Sequence, residues 1–191
     1  MKKVSAVALW FLLFGFLPRI NAQEAFDNLP KMELYGGYDF VRYNANPRIN
    51  GVPPSETFTA NGISGQAEYN LNRWIGVVGD LGAYSLARTG FNTTHQISYL
   101  FGPRINLRHG VITPFVQTLF GGVWAEDGIT FGSITAFGMT AGGGIDIRVS
   151  RYLAVRPAQA EYFMTRFPDG ANDRQNNFRY SVGVVLLLNK K

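Results

Sequence analysis

Side chains able to do chemistry are few in this chain, and their spacing limits what they can do. His95 and Ser98 stand close enough in sequence to suggest the base and nucleophile of a lipid hydrolase. In an extended strand, odd and even positions point to opposite faces, so these two cannot meet. No acid is placed to orient the imidazole either. His109 belongs to a tight-turn signature, Arg108-His109-Gly110, and is expected in water. The run Gly142-Gly143-Gly144 lacks both the lysine and the following helix of a phosphate loop. Glycines inside a strand more often allow curvature or make room for a bulky neighbour. The 191 residues include no cysteine, which excludes disulfides and thiolate metal centres. No catalytic residue, cofactor or metal site is expected.

The remaining chemistry is ionic. Asp39, Glu68, Asp80, Arg104, Asp146, Arg148, Arg156, Glu161 and Arg179 each interrupt an apolar stretch. The elements that carry them read as strands, because the apolar residues alternate with polar ones instead of recurring at helical spacing. In Ile75–Ala83, Asp80 opposes Val77, Leu81 and Ala83; in residues 94–107, Gln96, Ser98, Arg104 and Asn106 oppose Ile97, Tyr99, Phe101 and Ile105. In residues 134–148, Asp146 and Arg148 oppose Phe137, Ile145 and Ile147, and in residues 175–188, Arg179 opposes Phe178, Tyr180 and Val184. Residues 111–124 alternate least cleanly, with Gln117 assigned to the polar face. Arg156 has the wrong parity for Gln159 and Glu161, so a bulge near Pro157 is required to bring all three to one face. Eight strands of about 9–14 residues result.

Connections between these strands alternate in length. Residues 44–59, 85–93, 125–133 and 166–174 form long links, and residues 70–73, 108–110 and 150–151 form tight ones. Short turns at one end and long loops at the other are the pattern of an up-and-down transmembrane barrel, all-β and antiparallel. A soluble barrel alternates in the same way but turns its polar face to water. That face would need charge, near 25% of a typical chain. Beyond residue 22 the chain holds 15 basic and 13 acidic residues in 169 positions, about 17%, of which only three are lysines. Charges paired inside a narrow lumen fit this composition better. Leu81, Phe101, Ile145 and Val184 are accordingly expected to face acyl chains. Tyr35, Tyr69 and Tyr152 are expected in an interfacial girdle at the turn end, with Tyr43, Trp124, Phe163 and Phe167 in one at the loop end.

The first residues form an address. Lys2 and Lys3 precede a 14-residue apolar run, residues 4–17, and Ala22 provides a small residue for cleavage. Residues 1–22 are therefore expected to be a cleaved secretory signal peptide, 23–31 a short lead, 32–188 the barrel and 189–191 a tail. Export without cysteines points to the outer membrane of a cell that has one. Outer-membrane lipid and the outer-membrane assembly machinery are the expected partners, with an extracellular ligand possible through the loops. Once the leader is set aside, the charge balance of +2 offers no footprint for nucleic acid.

Several segments resemble the bacterial outer-membrane β-barrel family that includes OmpA-type and opacity-protein-like small barrels. They are Tyr99-Leu100-Phe101-Gly102-Pro103-Arg104, Pro114-Phe115-Val116-Gln117-Thr118-Leu119-Phe120-Gly121-Gly122, Gly142-Gly143-Gly144-Ile145-Asp146, Arg151-Tyr152-Leu153-Ala154-Val155-Arg156 and Phe178-Arg179-Tyr180-Ser181-Val182-Gly183-Val184-Val185. The resemblance spans residues 32–188 and implies the fold more than a function. Two departures stand out: the chain ends Leu188-Asn189-Lys190-Lys191 without a terminal aromatic, and no peptidoglycan-binding domain follows. A non-enzymatic barrel with a structural or loop-binding, adhesion-like role is expected, its lumen plugged by paired charges. A minimal pore or transporter for small solutes or lipids is the alternative, and a secreted soluble ligand-binding barrel a weaker one.

Overall fold

A computed structural model describes residues 29–44, 57–87, 93–127, 132–167 and 174–188. They form eight strands: β1 (Met32–Asn44), β2 (Thr57–Asn70), β3 (Ile75–Ala87), β4 (Thr93–Asn106), β5 (Ile112–Asp127), β6 (Gly132–Arg148), β7 (Leu153–Thr165) and β8 (Gln175–Leu188). Each pairs antiparallel with the next, and β8 returns to β1, so the sheet closes as a barrel. Closure leaves no open edge to template aggregation. Met32 pairs with both Tyr69 and Leu188, which puts the start of β1 and the end of β8 at the short-turn end.

The strands run 13 to 17 residues, longer than the alternation suggests. β5 and β6 stay paired out to Asp127 opposite Gly132. Backbone hydrogen bonding continues there after the apolar pattern has stopped, because Glu126 and Asp127 carry no hydrophobic signal. The signal-peptide and tail expectations, and part of each long link, fall outside the described residues.

Local sequence sets each tight turn. Between β2 and β3, the Asn72 side-chain oxygen accepts hydrogen bonds from the backbone N–H groups of Trp74 and Ile75, at 2.8 and 2.9 Å, an Asn closing its own turn. Between β4 and β5, Gly110 takes a left-handed φ of 59°, which a side chain would oppose. Between β6 and β7, Ser150 Oγ accepts from the Tyr152 N–H at 3.2 Å.

The register of β7 shifts against both neighbours around Pro157, between Arg156 and Gln159 on the β8 side. Proline cannot donate to a ladder, so the extra residue sits where a donor is missing. Arg156, Gln159 and Glu161 consequently all point inward and are buried. A one-residue bulge thus restores to one face what simple alternation would split.

The barrel is polar within and apolar without. Leu81, Phe101, Ile145 and Val184 lie on the outer surface with relative exposures of 64, 67, 41 and 48%. Two apolar clusters flank the polar interior. Tyr35, Ala154, Val185 and Leu187 form the first. Val41, Tyr43, Ala60, Val78, Tyr84, Leu100, Leu119, Val123 and Phe163 form the second, with Phe167 packed against it.

That packing corrects the aromatic assignments. Tyr69 and Tyr152 are exposed, but Tyr35, Tyr43 and Phe163 are buried inside the barrel. Tyr35 and Tyr43 share the parity of Asp39, and Phe163 that of Glu161, so the pleat directs them inward. The clean alternation missing from β5 has the same origin. Its inward residues Phe115, Leu119 and Val123 are as apolar as its outward ones.

Candidate functional site

The interior holds a connected network of side chains rather than isolated ion pairs. Arg104 Nη1 meets Glu68 Oε2 at 2.8 Å, Arg156 Nε meets Asp146 Oδ1 at 2.7 Å, and Arg179 bridges Asp80 at 3.1 Å and Glu161 at 2.5 Å. Arg156 grips Asp146 in a fork, with Nη2 donating to Oδ2 at 2.9 Å. Forked guanidinium–carboxylate pairs are the stronger charge-assisted kind, and in a low dielectric they hold only when the geometry is good. Arg104, Arg156 and Arg179 are the largest side chains wholly buried in the described barrel.

Two glutamines bind the pairs together. Gln66 Oε1 accepts from Arg104 at 2.5 Å and from Arg156 at 2.7 Å, while its Nε2 donates to Asp80 at 2.8 Å. Gln117 Oε1 accepts from Arg104 Nε at 2.8 Å, and its Nε2 donates to Glu161 at 2.7 Å. A neutral amide both accepts and donates, so it can join two ion pairs without adding charge. Glu68 also accepts from Asn106 at 2.6 Å, and Arg156 donates to Gln159 at 2.7 Å.

Aromatic rings fill the space between guanidinium planes. Phe115 lies 4.2 Å from the Arg104 carbon and 4.4 Å from that of Arg156, and Tyr35 lies 4.3 Å from Arg156. Cation–π attraction at such distances strengthens when water is absent. Glycine makes the close packing possible: a Cβ at Gly76 would overlap the Glu68 carboxylate, and one at Gly142 would overlap the Ala160 carbonyl of β7.

Of the nine charges singled out in the sequence, seven meet in these pairs. Asp39 is buried but held by hydroxyls, accepting from Ser64 at 3.0 Å and Tyr84 at 3.3 Å. Tyr84 in turn accepts from Arg179 at 2.9 Å, so Asp39 joins the network through the phenol. Arg148, the last residue of β6, is only half-buried at the turn end, and the ion pairs of Arg104, Arg156 and Arg179 form without it. Its parity is inward, but it lies beyond the level of the network.

The turn end has a pair the sequence reading missed. Arg108 Nη2 meets Glu33 Oε1 at 2.8 Å and Asn70 Oδ1 at 2.8 Å, and Asn70 Nδ2 donates to Glu33 at 2.9 Å. The turn signature around Arg108 concealed its inward aim, although Glu33 shows the same parity as Asp39. His95 is exposed on the outer face and Ser98 is fully buried within, so they do not meet. Among the described residues, no three His, Cys, Asp or Glu side chains converge to hold a metal ion.

Closed antiparallel strands, an apolar exterior and a charged interior together give the fold of the small transmembrane barrels found in outer membranes. Neisserial surface protein A superposes with a TM-score of 0.65 and 13% identity, covering 83% of this chain and 97% of that one. Ail, the attachment invasion locus protein of Yersinia pestis, solved with the heparin analogue sucrose octasulfate, gives 0.54 and 15%, covering 83% and 98%. The N-terminal barrel domain of Pseudomonas aeruginosa OprF gives 0.52 and 10%, covering 82% and 97%. No protein family and no curated protein matches the chain by sequence. The resemblance drawn from its motifs is met at the level of the fold.

Proposed function

We propose that this chain is a non-enzymatic outer-membrane barrel whose lumen is plugged by the ion-pair network and whose loops carry any recognition. One observation supports this most: the polarity is inside-out, with large apolar side chains outside and arginine–carboxylate pairs fully buried within. Such an exterior suits acyl chains and would be a liability in water. The apolar residues 4–17 suit export by a signal peptide, after which outer-membrane assembly machinery would insert the barrel.

The plug reading draws on barrel size and on the interior apolar cluster. Eight strands leave a lumen just filled by side chains, and here Leu119, Val123 and Phe163 add a fully buried apolar patch beside the ionic one. A minimal pore would need a continuous wet path between them. The loop reading draws on the tendency of binding residues to sit on loops over a rigid scaffold. That Ail, a barrel of the same fold, was solved with a heparin analogue makes polyanionic saccharides the first ligands to try.

Fractionation of cells producing the protein is the test. It should sediment with outer membranes and migrate faster on gels before heating than after. Recovery from the soluble periplasm would overturn the membrane reading. Discrete conductance steps in planar bilayers would overturn the plug and favour the pore.

A further inference from the structure

The outer wall of β1 to β4 changes chemistry within one step of the pleat. Tyr38, Ile63, Ala83 and Ile97 pair strand to strand as one outward row. Phe40, Asn61, Ser85 and His95 form the next row toward the loops. Successive outward rows are about 7 Å apart, because side chains return to the same face every second residue. Apolar side chains therefore give way to an amide, a hydroxyl and an imidazole within the length of one lipid molecule. The two rows share a recess of about 550 Å³. Ala83 has a short side chain between Ile63 and Ile97, so the wall dips where its neighbours project. Tyr38, 51% exposed, bounds the β1 side with a ring that is apolar on its face and polar at its tip.

The polar residues belong to the recess itself. Asn61, Ser85 and His95 all line it, and all three are exposed. Among the described residues, none of these side chains is hydrogen-bonded to another part of the barrel. Their donors and acceptors face outward beside an apolar floor, at the end of the wall where the long links begin. Charge is balanced around them. Arg42, the next outward residue after Phe40 on β1, is exposed on one side. On the other side Gln96 pairs with Ala125, and continuing that register sets the exposed Glu126 beside His95. Four strand intervals of about 4.8 Å separate β1 from β5, too wide for one zwitterionic headgroup to satisfy both charges.

We propose that this recess binds one neutral glycolipid, its sugar hydroxyls held by Asn61, Ser85 and His95 and an acyl chain laid over Ala83 between Ile63 and Ile97. The inference rests on reading the exterior as lipid-facing. An amide, a hydroxyl and an imidazole each donate and accept, which matches the donor and acceptor that every sugar hydroxyl carries. A lipid phosphate only accepts, and the carboxylate of Glu126 beside His95 repels it. The dip over Ala83 selects a flexible chain, because a trough left empty loses dispersion contacts.

Vesicles of phosphatidylcholine containing equal amounts of monoglucosyl diacylglycerol and phosphatidylglycerol supply the probe. The barrel folded in them, then released into detergent, is read by native mass spectrometry, and the heat-modifiable gel band of each variant checks that its barrel is intact. Wild type should retain one glucosyl lipid in preference to either phospholipid. Asn61→Ala, Ser85→Ala and His95→Ala should each lower that retention about threefold, the loss of one hydrogen bond. Ala83→Leu should abolish it while leaving every polar group in place. Ser133→Ala, which removes an exposed hydroxyl from the loop end of β6 outside the recess, should leave it unchanged. Equal retention of all three lipids by wild type, a preference for phosphatidylglycerol, or an equal loss from Ser133→Ala would overturn the site. Failure of the wild-type barrel to enter vesicles would instead overturn the membrane reading beneath it.

Discussion

Replacing Arg179 with methionine is the sharpest perturbation of the interior. Its guanidinium donates to Glu161 from Nε at 2.8 Å and Nη2 at 2.5 Å, to Asp80 from Nη1 and Nη2 at 3.1 Å each, and to Tyr84 at 2.9 Å. None of the three charged side chains has measurable exposure in these pairs. Arg179→Met would leave two carboxylates facing one another with neither counter-charge nor bulk water. Breaking one buried pair typically costs about 3–5 kcal/mol, and with two anions stranded the upper figure applies. Methionine keeps most of the volume, so little of the loss would come from a cavity. An exposed arginine serves as the control: Arg151→Met should cost no more than about 1 kcal/mol. Combining Arg179→Met with Asp80→Leu and Glu161→Leu should recover most of the loss, because a well-packed apolar replacement of a whole ionic cluster is often neutral. Urea unfolding in lipid vesicles, followed by tryptophan fluorescence, measures all three. If Arg179→Met stays within about 1 kcal/mol of wild type, water already solvates these charges and the lumen is not plugged.

Further substitutions separate the two faces of the wall. Leu81→Arg, two outward rows from the Tyr69 girdle, should cost roughly 2–4 kcal/mol by the same urea assay, whereas Ser85→Ala should stay within about 0.5 kcal/mol. Gly142→Val should abolish the heat-modifiable gel band, because its Cβ would overlap the Ala160 carbonyl and come within 2.6 Å of Glu161 Cα; Gly79→Ala, with open space around its Cβ, should keep that band. Deleting Pro157 removes the extra residue of β7 and forces either Arg156 or the pair Gln159 and Glu161 to face outward; refolding yield in vesicles should collapse.

Much of the barrel is legible in the sequence because a strand with one apolar face has a period of two and little freedom to slip. Asp80 against Leu81, or Arg179 against Tyr180, announces both the strand and its inward side. The need for a bulge at Pro157 is equally readable, since Arg156 and Glu161 conflict in parity and proline marks where a ladder can skip. Partners are another matter. Nothing in the local pattern tells that Arg104 on β4 reaches Glu68 on β2, or that Arg179 on β8 reaches Asp80 on β3, because those contacts skip strands and depend on strand stagger. Glu161 is Arg179's direct cross-strand neighbour, but that too is known only once the register is. Gln66 and Gln117 look like ordinary polar positions, yet they join four ion pairs. Tyr35, Tyr43 and Phe163 mislead for a related reason. An aromatic near a strand end is as suited to a girdle as to a guanidinium plane or an interior cluster, and only its parity, which matches Asp39 and Glu161, distinguishes them. Arg108 is hidden by its turn, where parity is hard to assign.

The absence of native cysteine allows one direct test of the wall's orientation. A fluorophore attached to Phe101→Cys, Ile145→Cys or Val184→Cys, with the protein folded in vesicles containing acyl-brominated lipid, reports contact with lipid tails. Placement of these residues against acyl chains predicts strong quenching at all three, and weak quenching from a label on the exposed turn residue Ser150→Cys. Quenching at Phe101, Ile145 and Val184 no stronger than at Ser150 would show that the apolar face of this barrel does not meet lipid.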